Sequence, residues 1–346
     1  MEISELLRQL TEAVGVSGDE KEVRLLLRDL IAEHVDEWRV DSMGNLLAVK
    51  RGTGESDLRV LVDAHMDEVG LMITDVESDG TLKFETVGGI ADHTLLGKVV
   101  QVGPKKLTGV IGARPIHLLK RDQRSSVVKS DSMRIDIGAT KKENASGKVK
   151  LGDRATFLTA YQESGKMAMG KALDDRAGCA ALVELLRGEP YPFDLHAAFT
   201  VQEEVGLRGA QVAAYATRPD VALVLECTPA YDLPNKRDVS PNVRLGHGPS
   251  LYVMDSATIQ DPRFVRHIMR TAESNGIPFQ VRQPGGGGTN AGAIQRVHGG
   301  VVTATIATPA RYIHAPISMI NLDDFGNVVR LAEATLRGLN RDLFER

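Results

Sequence analysis

The order of structural patterns along the chain constrains its fold more than any other feature. Helix-like and strand-like segments alternate up to about residue 70 and again from residue 172, which is typical of an α/β domain. From about residue 71 to 157, short β-rich runs alternate with turn signals such as Ser-Asp-Gly at 78–80 and Gly-Pro at 103–104. This texture indicates a small β-barrel or sandwich. The simplest interpretation is one α/β domain that is interrupted by an inserted β domain.

The α/β parts of the chain give a definite set of expected elements. Helices are expected at residues 3–14 and 18–34, and the spacing from Ser17 to Glu20 predicts a capping box at the start of the second. A hairpin is expected within residues 40–50 and a buried strand at 58–62. After the insertion, the pattern predicts helices near 175–187, 207–216, 261–275, 290–297 and 322–339, and strands near 194–200, 221–226, 278–282 and 301–307. In such sheets, ligands collect at the carboxyl ends of the strands.

Two adjacent glutamates, Glu203 and Glu204, follow the strand-like run at 195–199. Neighbouring side chains at a strand end can point in different directions, so one carboxylate can bind a metal while the other faces a reacting water. The alternative is a pair of solvated surface glutamates, because a carboxylate is costly to bury without a cation or a proton. Other segments of the chain favour the metal site.

Two of these segments lie far apart in the sequence. His65 and Asp67 follow the apolar run at 58–62, where the histidine can bind a metal and the second carboxylate can fix its ring. A core histidine with a hydrogen-bonded partner is the alternative. Asp174 opens a strongly helical stretch, so it is either a helix cap or a carboxylate whose two oxygens bridge two cations.

Two further candidates also follow strand patterns. His314 comes after the run at 301–307, and Glu226 closes the apolar run at 221–225, where a free surface glutamate is the competing interpretation. Each signal is modest by itself. Together, carboxylates and two histidines at strand ends describe a two-metal hydrolytic site, for which imidazole and carboxylate ligands suit zinc or similar ions.

With these residues the chain resembles the tetrahedral aminopeptidases, dinuclear metallopeptidases of the glutamyl and deblocking aminopeptidase type, some of which carry an endoglucanase label. The matching motifs keep the family order over nearly the whole chain; they lie at residues 41–48, 64–70, 95–98, 109–112, 115–119, 135–139, 171–178, 200–206, 286–291, 311–314 and 321–324. The resemblance implies an aminopeptidase-type α/β catalytic domain with a mixed sheet flanked by helices, formed by residues 1–70 and 158–346. It also implies that residues 71–157 form a barrel-like domain for dimerisation or for covering the site.

The resemblance further implies a role for each candidate side chain. The ligands of two divalent ions, zinc or alternatively cobalt or manganese, are expected to be His65, Asp174, Glu204, Glu226 and His314. Asp174 would bridge the two ions, Glu203 would be the general base, and Asp67 would orient His65. Many relatives have aspartate at the position of Glu226, and related two-metal peptidases tolerate either acid.

The glycine run at 285–288 is expected to form a close backbone wall of a peptide pocket, with Gly288 and Asn290 as substrate contacts. Phosphate binding is the alternative, but the run is not followed by Gly-Lys-Ser/Thr. Relatives usually have Gly-Gly-Thr-Asp here, so Asn290 removes a charge near the expected pocket.

The leading functional hypothesis is a metal-dependent aminopeptidase that acts on short peptides with a free N-terminus. Its alternatives are a related amide hydrolase, namely an N-acyl amino-acid deacylase or a carboxypeptidase, and a non-catalytic metal-binding assembly. A structural metal site does not need an unligated acid beside a ligand, so Glu203 favours an enzyme. A glycosidase needs a separated carboxylate pair without metals.

Composition narrows the partners and the compartment. A net charge of −4 argues against a nucleic-acid binder, and the chain has no apolar run long enough to span a bilayer. The N-terminus has no signal-peptide pattern, and Cys179 and Cys227 are expected to be free thiols, which together predict a cytoplasmic protein. The resemblance implies a closed homo-oligomer, a tetrahedral dodecamer built from dimers.

Overall fold

The computed structural model describes residues 1–118, 121, 125–233, 243–283 and 285–345. The helices in this part of the chain are α1 (Ile3–Glu12), α2 (Lys21–Ile31), α3 (Lys142–Ser146), α4 (Leu173–Arg187), α5 (Arg208–Thr217), α6 (Pro262–Ser274), α7 (Ala291–Ile294) and α8 (Leu322–Arg337). The first nine strands are β1 (Glu37–Val40), β2 (Leu46–Lys50), β3 (Val60–His65), β4 (Gly70–Val76), β5 (Leu82–Val87), β6 (Val99–Val102), β7 (Leu107–Gly112), β8 (Arg134–Asp136) and β9 (Arg154–Phe157). The others are β10 (Gln162–Ser164), β11 (Met167–Gly170), β12 (Leu195–Thr200), β13 (Val221–Pro229), β14 (Ser250–Leu251), β15 (Gln280–Val281), β16 (Val302–Arg311) and β17 (Ser318–Asn321).

A mixed sheet of eleven strands within the described ranges forms the main layer of the protein. Its order is β1-β2-β12-β3-β13-β16-β17-β11-β10, and β14 pairs with β16 and β15 beside this path. The central strands β12, β3, β13 and β16 are parallel to one another, whereas the outer pairs are mostly antiparallel. The carboxyl ends of these four strands therefore meet at one edge of the sheet.

Both faces of the central sheet are apolar, because its strands are covered by helices on both sides. Side chains alternate along β13, so that Leu223 joins the larger core and Val224 the smaller one. The larger core packs against α1, α2, α4, α6 and α8, and the smaller one packs against α5 and α7. Such nearly continuous apolar runs are expected for parallel strands that are buried on both faces.

The β-rich segment forms a closed barrel in the order β4-β5-β8-β7-β6-β9. Its neighbouring strands are antiparallel, and its interior is filled by aliphatic and aromatic side chains such as Leu82, Phe84, Val100 and Ile135. The predicted fold class, an α/β protein with a mixed sheet and a small barrel, is confirmed. No helix of the described residues has the length and apolar character that crossing a bilayer requires.

Several local predictions need correction. Ser17 does not cap α2: residue Glu20 occupies the cap position without a side-chain hydrogen bond, and the Ser17 hydroxyl donates to Asp67 instead. The segment expected to be a helix at 290–297 contains only the single turn α7, and the strand expected at 278–282 is the two-residue β15. In these segments the tertiary contacts override the local sequence pattern.

Candidate metal centre

Parallel strands carry the candidate site residues to a common edge. His65 is the last residue of β3, and it lies level with Thr200 of β12, so Glu203 and Glu204 emerge directly beside it. On the other side of β3, Glu226 lies within β13. This strand ends at Pro229, three residues beyond the end of the strand that was predicted at 221–226. His314 follows the end of β16 by three residues. The chain order thus brings together side chains that are up to 249 positions apart in the sequence, counting from residue 65 to residue 314.

Asp174 lies between the two histidines. One of its oxygens, Oδ1, is 3.4 Å from Nε2 of His65, and the other, Oδ2, is 3.4 Å from Nε2 of His314. The Oδ1 atom is buried and has no hydrogen-bond partner among the described residues. Buried carboxylate oxygens are normally satisfied, so this oxygen is available to a further partner such as a cation.

Each histidine also faces a second carboxylate. Glu226 Oε1 is 3.4 Å from His65 Nε2, and Glu204 Oε2 is 3.1 Å from His314 Nε2. The side chains therefore form two groups of one imidazole and one carboxylate, and they share Asp174. Imidazole nitrogen and carboxylate oxygen are ligands of zinc and of related divalent transition metals, so this donor set fits two such ions.

The pKa values of the cluster are shifted because several buried carboxylates lie close to two imidazole rings. Burial lowers the pKa of His314, but the carboxylates of Asp174 and Glu204 outweigh it and raise this pKa to about 11. Burial raises the pKa of Glu226 to about 7, against the opposing effect of His65. The acids thus repel one another and attract positive charge, which is the electrostatic condition for holding cations.

Glu203 differs from its neighbour Glu204. Glu204 belongs to a close group of potential ligand atoms with His65 and Asp174, whereas neither Glu203 nor His314 belongs to such a group of three among the described residues. Burial, helped by the carboxylates of Glu226 and Glu204 and opposed by His65, raises its pKa well above the ordinary value. A carboxyl group that is unligated and holds a proton readily suits a general base and acid.

Asp67 contacts both His65 and the backbone of the two adjacent glutamates. Its backbone carbonyl lies 3.0 Å from Nδ1 of His65, and its carboxylate accepts the backbone N–H groups of Glu203 at 2.9 Å and Glu204 at 3.2 Å. Ser17 completes this set with a hydroxyl donor at 2.6 Å. Asp67 therefore holds the ring of one predicted ligand and the backbone of the glutamate pair at the same time.

Three further residues that sequence reasoning did not identify support the backbone of the glutamate loop and of His65. Asn45 accepts the N–H of Val201 at 2.9 Å, and Glu20 accepts the N–H of Gln202, which has a left-handed φ of 57°. Asp175 accepts the N–H of His65 at 3.2 Å. The sequence does give a signal for Asp175, because it is adjacent to Asp174, but the distant partners of Asn45 and Glu20 are set only by the fold.

Comparison with known proteins identifies the family. A family model described as M42 glutamyl aminopeptidase matches residues 44–331 of the chain. The chain belongs to this family. This result agrees with the resemblance seen in the sequence motifs.

Individual relatives of this M42 chain support the assignment over its whole length. A lysyl aminopeptidase of Pyrococcus furiosus is 33% identical over 345 residues, which cover 97% of each chain. A TET aminopeptidase from a marine-sediment archaeon of the Thaumarchaeota has a TM-score of 0.95 at 36% identity, covering 99% of this chain and 97% of that one. The TET1 peptidase of Pyrococcus horikoshii, described as assembling into a tetrahedron or a large octahedral shell, has a TM-score of 0.87 at 36% identity and covers 98% and 100%.

A cavity of about 650 Å³ opens over the cluster in this M42 family member. Gly288 lines the cavity, as expected, but Asn290 does not. The Asn290 side chain is 1% exposed and donates to Asp63 at 2.7 Å and to Thr200 at 2.9 Å. The amide nitrogen of Asn290 thus binds internal partners beneath the cavity, and a substrate contact of this residue stays a prediction.

The barrel also contributes to the wall of this cavity. Gly89, which follows β5, lines it, and a Cβ atom at this position would lie 3.4 Å from Nδ1 of His314. A Cβ atom on Gly88 would lie 3.3 Å from the Cβ of Glu204 and 2.8 Å from Val69. Glycine is needed at position 88, where φ is +81° and an added Cβ would be too close to Val69, whereas a Cβ at position 89 would only be in contact with His314.

Proposed function

We propose that the protein is a metal-dependent aminopeptidase that removes N-terminal residues from short peptides by hydrolysis at two divalent cations. The observation that carries this proposal is the position of Asp174, whose two oxygens face the two histidines separately. A carboxylate that faces two imidazole-carboxylate groups is suited to bridging two ions. Membership of an aminopeptidase family supports the choice of peptide hydrolysis.

The side chains divide the work of the proposed reaction. When bound, two cations would polarise the scissile carbonyl and lower the pKa of the attacking water. His65 and Glu226 would hold one ion and Glu204 and His314 the other, in each case with Asp174. Glu203 would take a proton from the water and deliver it to the leaving amine. Zinc is the metal that we expect, with cobalt or manganese as alternatives.

The family supports an amino-terminal substrate over the alternatives. The Pyrococcus furiosus relative is named for release of a lysyl residue, and the family for a glutamyl residue. An N-acyl amino-acid deacylase or a carboxypeptidase would use the same ligands with a different pocket. A non-catalytic metal assembly is disfavoured by Glu203, which a structural site does not require.

Chelation tests the proposal directly. The purified protein is expected to hydrolyse aminoacyl chromogenic substrates, to lose this activity in a chelator, and to regain it when zinc, cobalt or manganese is added back. N-acetylated aminoacyl substrates are the matched control, since they lack the free amine that an aminopeptidase requires and are expected to release no chromophore. Full turnover in a sample shown by elemental analysis to be free of metal would refute metal dependence.

We also infer that residues 71–157 form an assembly domain within a closed homo-oligomer, a tetrahedral dodecamer built from dimers. Val99 of β6 and Val110 of β7 are cross-strand partners that are 39% and 44% exposed, and the backbone N–H of the exposed Leu158 donates to the carbonyl of Val99. Such a contiguous apolar patch on a barrel is typical of a contact between subunits. The assembly of the Pyrococcus horikoshii relative supports the same inference.

Light scattering tests the assembly, with an expected mass about twelve times that of the 37.5 kDa chain. The substitution Val99→Lys is expected to release smaller species, because it places a charge in the proposed contact. Val212→Lys is the matched control: Val212 is 37% exposed but lies on α5, outside the barrel. A monomeric wild type would refute assembly, and an intact oligomer of the Val99 variant would reopen the choice of surface.

A cytoplasmic location stays a proposal as well. Cys179 and Cys227 are both buried and free in the structure, an arrangement that a reducing compartment allows. Fractionation of cells that express the protein from its own gene would test the location.

A further inference from the structure

Two cations and one acid that the proposed chemistry does not use are buried together beside the metal centre. They are Glu68, Lys171 and Arg176, here called the Glu68 cluster, and they are 2%, 2% and 0% exposed. Nζ of Lys171 lies 2.7 Å and 2.9 Å from the two carboxylate oxygens of Glu68, and Nη2 of Arg176 lies 3.4 Å from Oε1. Removing three ions from water is costly, and the cost is offset only when the ions hold one another in a close geometry.

The carboxylate of Glu68 is not available as a further metal ligand. Besides the two cations, its Oε1 accepts the N–H of Gly15 at 3.1 Å, and its Oε2 accepts the hydroxyl of Thr156 at 2.8 Å. Glu68 and Lys171 line a cavity of about 10 Å³ that Asp174 also lines. The Glu68 cluster therefore lies next to the predicted ligands, but its own oxygens are occupied by protein donors.

The two cations lie on either side of Asp174 in the sequence. Lys171 precedes it by three residues, and Arg176 follows it by two. Both cations donate to Glu68 and also to the carbonyl of Ala13, at 2.8 Å from Lys171 and 3.1 Å from Arg176. The short segment that carries the predicted bridging carboxylate is thus fixed at both of its ends.

Regular helical backbone does not determine the position of Asp174. Although it lies at the start of α4, its φ of −83° and ψ of 108° are outside the helical region, and Asp175 departs from it as well. Ala172 has a left-handed φ of 53°, which is uncommon for a residue with a Cβ atom. Such a backbone keeps its conformation only when the surrounding contacts hold it. The contacts that hold this segment at both ends are those of the Glu68 cluster.

Arg176 also connects this segment to the strand end that carries His65. Its Nε donates to the carbonyl of Met66 at 2.8 Å, and Met66 lies between His65 and Asp67. One side chain therefore contacts the backbone next to His65 and also holds the segment of Asp174. The distance between these two predicted ligands depends on it.

We propose that Glu68 is a positioning residue of the metal centre: it holds Lys171 and Arg176 on either side of Asp174 and so fixes this carboxylate relative to the two histidines. The proposal rests on the two-metal function above and names a determinant of its geometry. A shift of Asp174 moves it away from both imidazole-carboxylate groups at once, so loss of the cluster weakens the binding of both ions. Residues that orient metal ligands typically affect metal affinity by about 10- to 100-fold.

The charge of the cluster separates positioning from simple electrostatics. Two cations and one acid give a net charge of +1, and Lys171→Met lowers it to 0. Removal of a positive charge beside a metal centre would, by charge alone, strengthen the binding of a cation. Positioning gives the opposite result. The dissociation constant for Co²⁺ is expected to rise about 10- to 100-fold in Lys171→Met.

A double variant separates positioning from stability. Glu68→Gln alone leaves two buried cations without their acid, and it is expected to unfold at a much lower denaturant concentration. Glu68→Gln combined with Lys171→Met restores the net charge of +1 and is expected to recover most of this loss, because neutral side chains often replace a buried ion pair without cost. Its affinity for Co²⁺ is nevertheless expected to stay about 10- to 100-fold below that of the wild type.

The measurement is a titration of the metal-free full chain with Co²⁺, followed by visible absorption and corrected for the folded fraction by denaturant unfolding. Thr156→Val is the matched control, because it removes a hydrogen bond to the same carboxylate on the side of the barrel. Asp324→Asn is a second control, since this buried acid accepts the N–H groups of Gly246 and Gly248 and does not line the cavity over the metal centre. Both variants are expected to lose stability and to bind Co²⁺ with the affinity of the wild type.

Three results would overturn the role of Glu68. They are wild-type affinity for Co²⁺ in the double variant, tighter binding in Lys171→Met, and an equal loss of affinity in Asp324→Asn, which would show that any loss of stability weakens the centre. Because binding is measured without a substrate, the two proposals fail separately. If the variants bind Co²⁺ weakly as expected but the wild type hydrolyses no aminoacyl substrate, the proposed hydrolysis fails and the role of Glu68 stands. If the wild type is an active metal enzyme and the double variant binds metal and turns over equally well, the role of Glu68 fails and the proposed function stands.

Discussion

The barrel and the central sheet bury different kinds of side chain. Between residues 71 and 157, Thr156 is the only buried polar side chain among the described residues, and its hydroxyl donates to Glu68 at the junction with the sheet. The carboxyl ends of the parallel strands instead bury acids and a histidine, including Asp63, His65 and Asp67. The core of the barrel is stabilised mainly by apolar burial, whereas the sheet edge depends on a network of buried polar groups in which some oxygens, such as Oδ1 of Asp174, have no hydrogen-bond partner among the described residues.

This difference explains why the candidate site residues lie at the sheet edge and not in the barrel. An apolar core tolerates conservative exchange, because its stability depends on volume and shape. The sheet edge keeps charged groups out of water in a fixed geometry, and this arrangement is stable only when every partner is present. Loss of one side chain is therefore expected to affect mainly stability in the barrel and mainly turnover at the sheet edge.

The largest expected effect is on turnover in the variant Glu203→Gln. Removal of a general base typically lowers kcat by about 10²- to 10⁴-fold, and glutamine keeps the size of the side chain. We expect the variant to retain two metal ions per chain, as measured by elemental analysis, and to unfold at nearly the same denaturant concentration as the wild type.

Two other glutamates serve as controls for this prediction. Glu204→Gln is expected to lose metal, because Glu204 faces His314 at 3.1 Å. Glu85→Gln changes an exposed residue of the barrel strand β5 and is expected to alter neither metal content nor turnover. Loss of metal from the Glu203 variant would show that the roles of the two adjacent glutamates are reversed, and normal turnover would exclude Glu203 as the base.

The next effect compares two buried leucines, one in each region. Leu82 lies in the barrel core and Leu223 in the strand that carries Glu226, and both are 0% exposed. Substitution of either by alanine is expected to cost about 2–5 kcal/mol of unfolding free energy. Leu82→Ala is expected to leave the kcat/KM of the folded fraction almost unchanged, whereas Leu223→Ala lowers it by shifting the strand that positions Glu226. Denaturant titration with parallel assays measures both quantities, and equal losses of activity would contradict the division between the two regions.

Much of the fold could be predicted because it follows from local patterns. The apolar run at 221–225 predicts a buried strand, and turn signals between β-rich runs predict the barrel. Asp261 also gives a local signal, since it caps α6 by accepting the N–H groups of Arg263 and Phe264 just before Pro262. Such signals depend on neighbours in the sequence, so they survive without knowledge of the tertiary structure.

The rest could not be predicted because it depends on partners that only the fold supplies. The position of Asn290 after a glycine run suggests a pocket residue. In the structure, however, its amide donates a hydrogen bond to the buried Asp63, which is 227 positions away. Arg282 stands in a polar stretch without a recognisable motif, and its place in the cavity results from the short pairing of β15 with β14. Ser17 has the spacing of a capping box but binds Asp67, 50 positions away.

Substitution of Ser17 is expected to have the smallest effect. It tests directly whether the role of this residue follows from its sequence spacing or from its contact with Asp67. If the serine served only as a helix cap, Ser17→Ala would destabilise the start of α2 and leave turnover unchanged. In the structure its hydroxyl donates at 2.6 Å to the carboxylate that also binds the N–H groups of Glu203 and Glu204. Loss of a hydrogen bond to a buried charge is expected to cost about 1.5–3 kcal/mol of unfolding free energy.

Asp67 also contacts His65, so Ser17→Ala is expected to weaken metal binding or to lower kcat/KM by about 10-fold. This value is the lower end of the range that is typical when a residue that orients a metal ligand is replaced. Ser78→Ala is the matched control in an exposed turn of the barrel, where a change within about 0.5 kcal/mol is expected. Metal titration and denaturant unfolding of both variants check the two effects. A Ser17 variant that loses stability but binds metal and turns over substrate normally would show that Asp67 holds the glutamate loop without this hydroxyl. In that case the polar network at the sheet edge would be less cooperative than its contacts indicate.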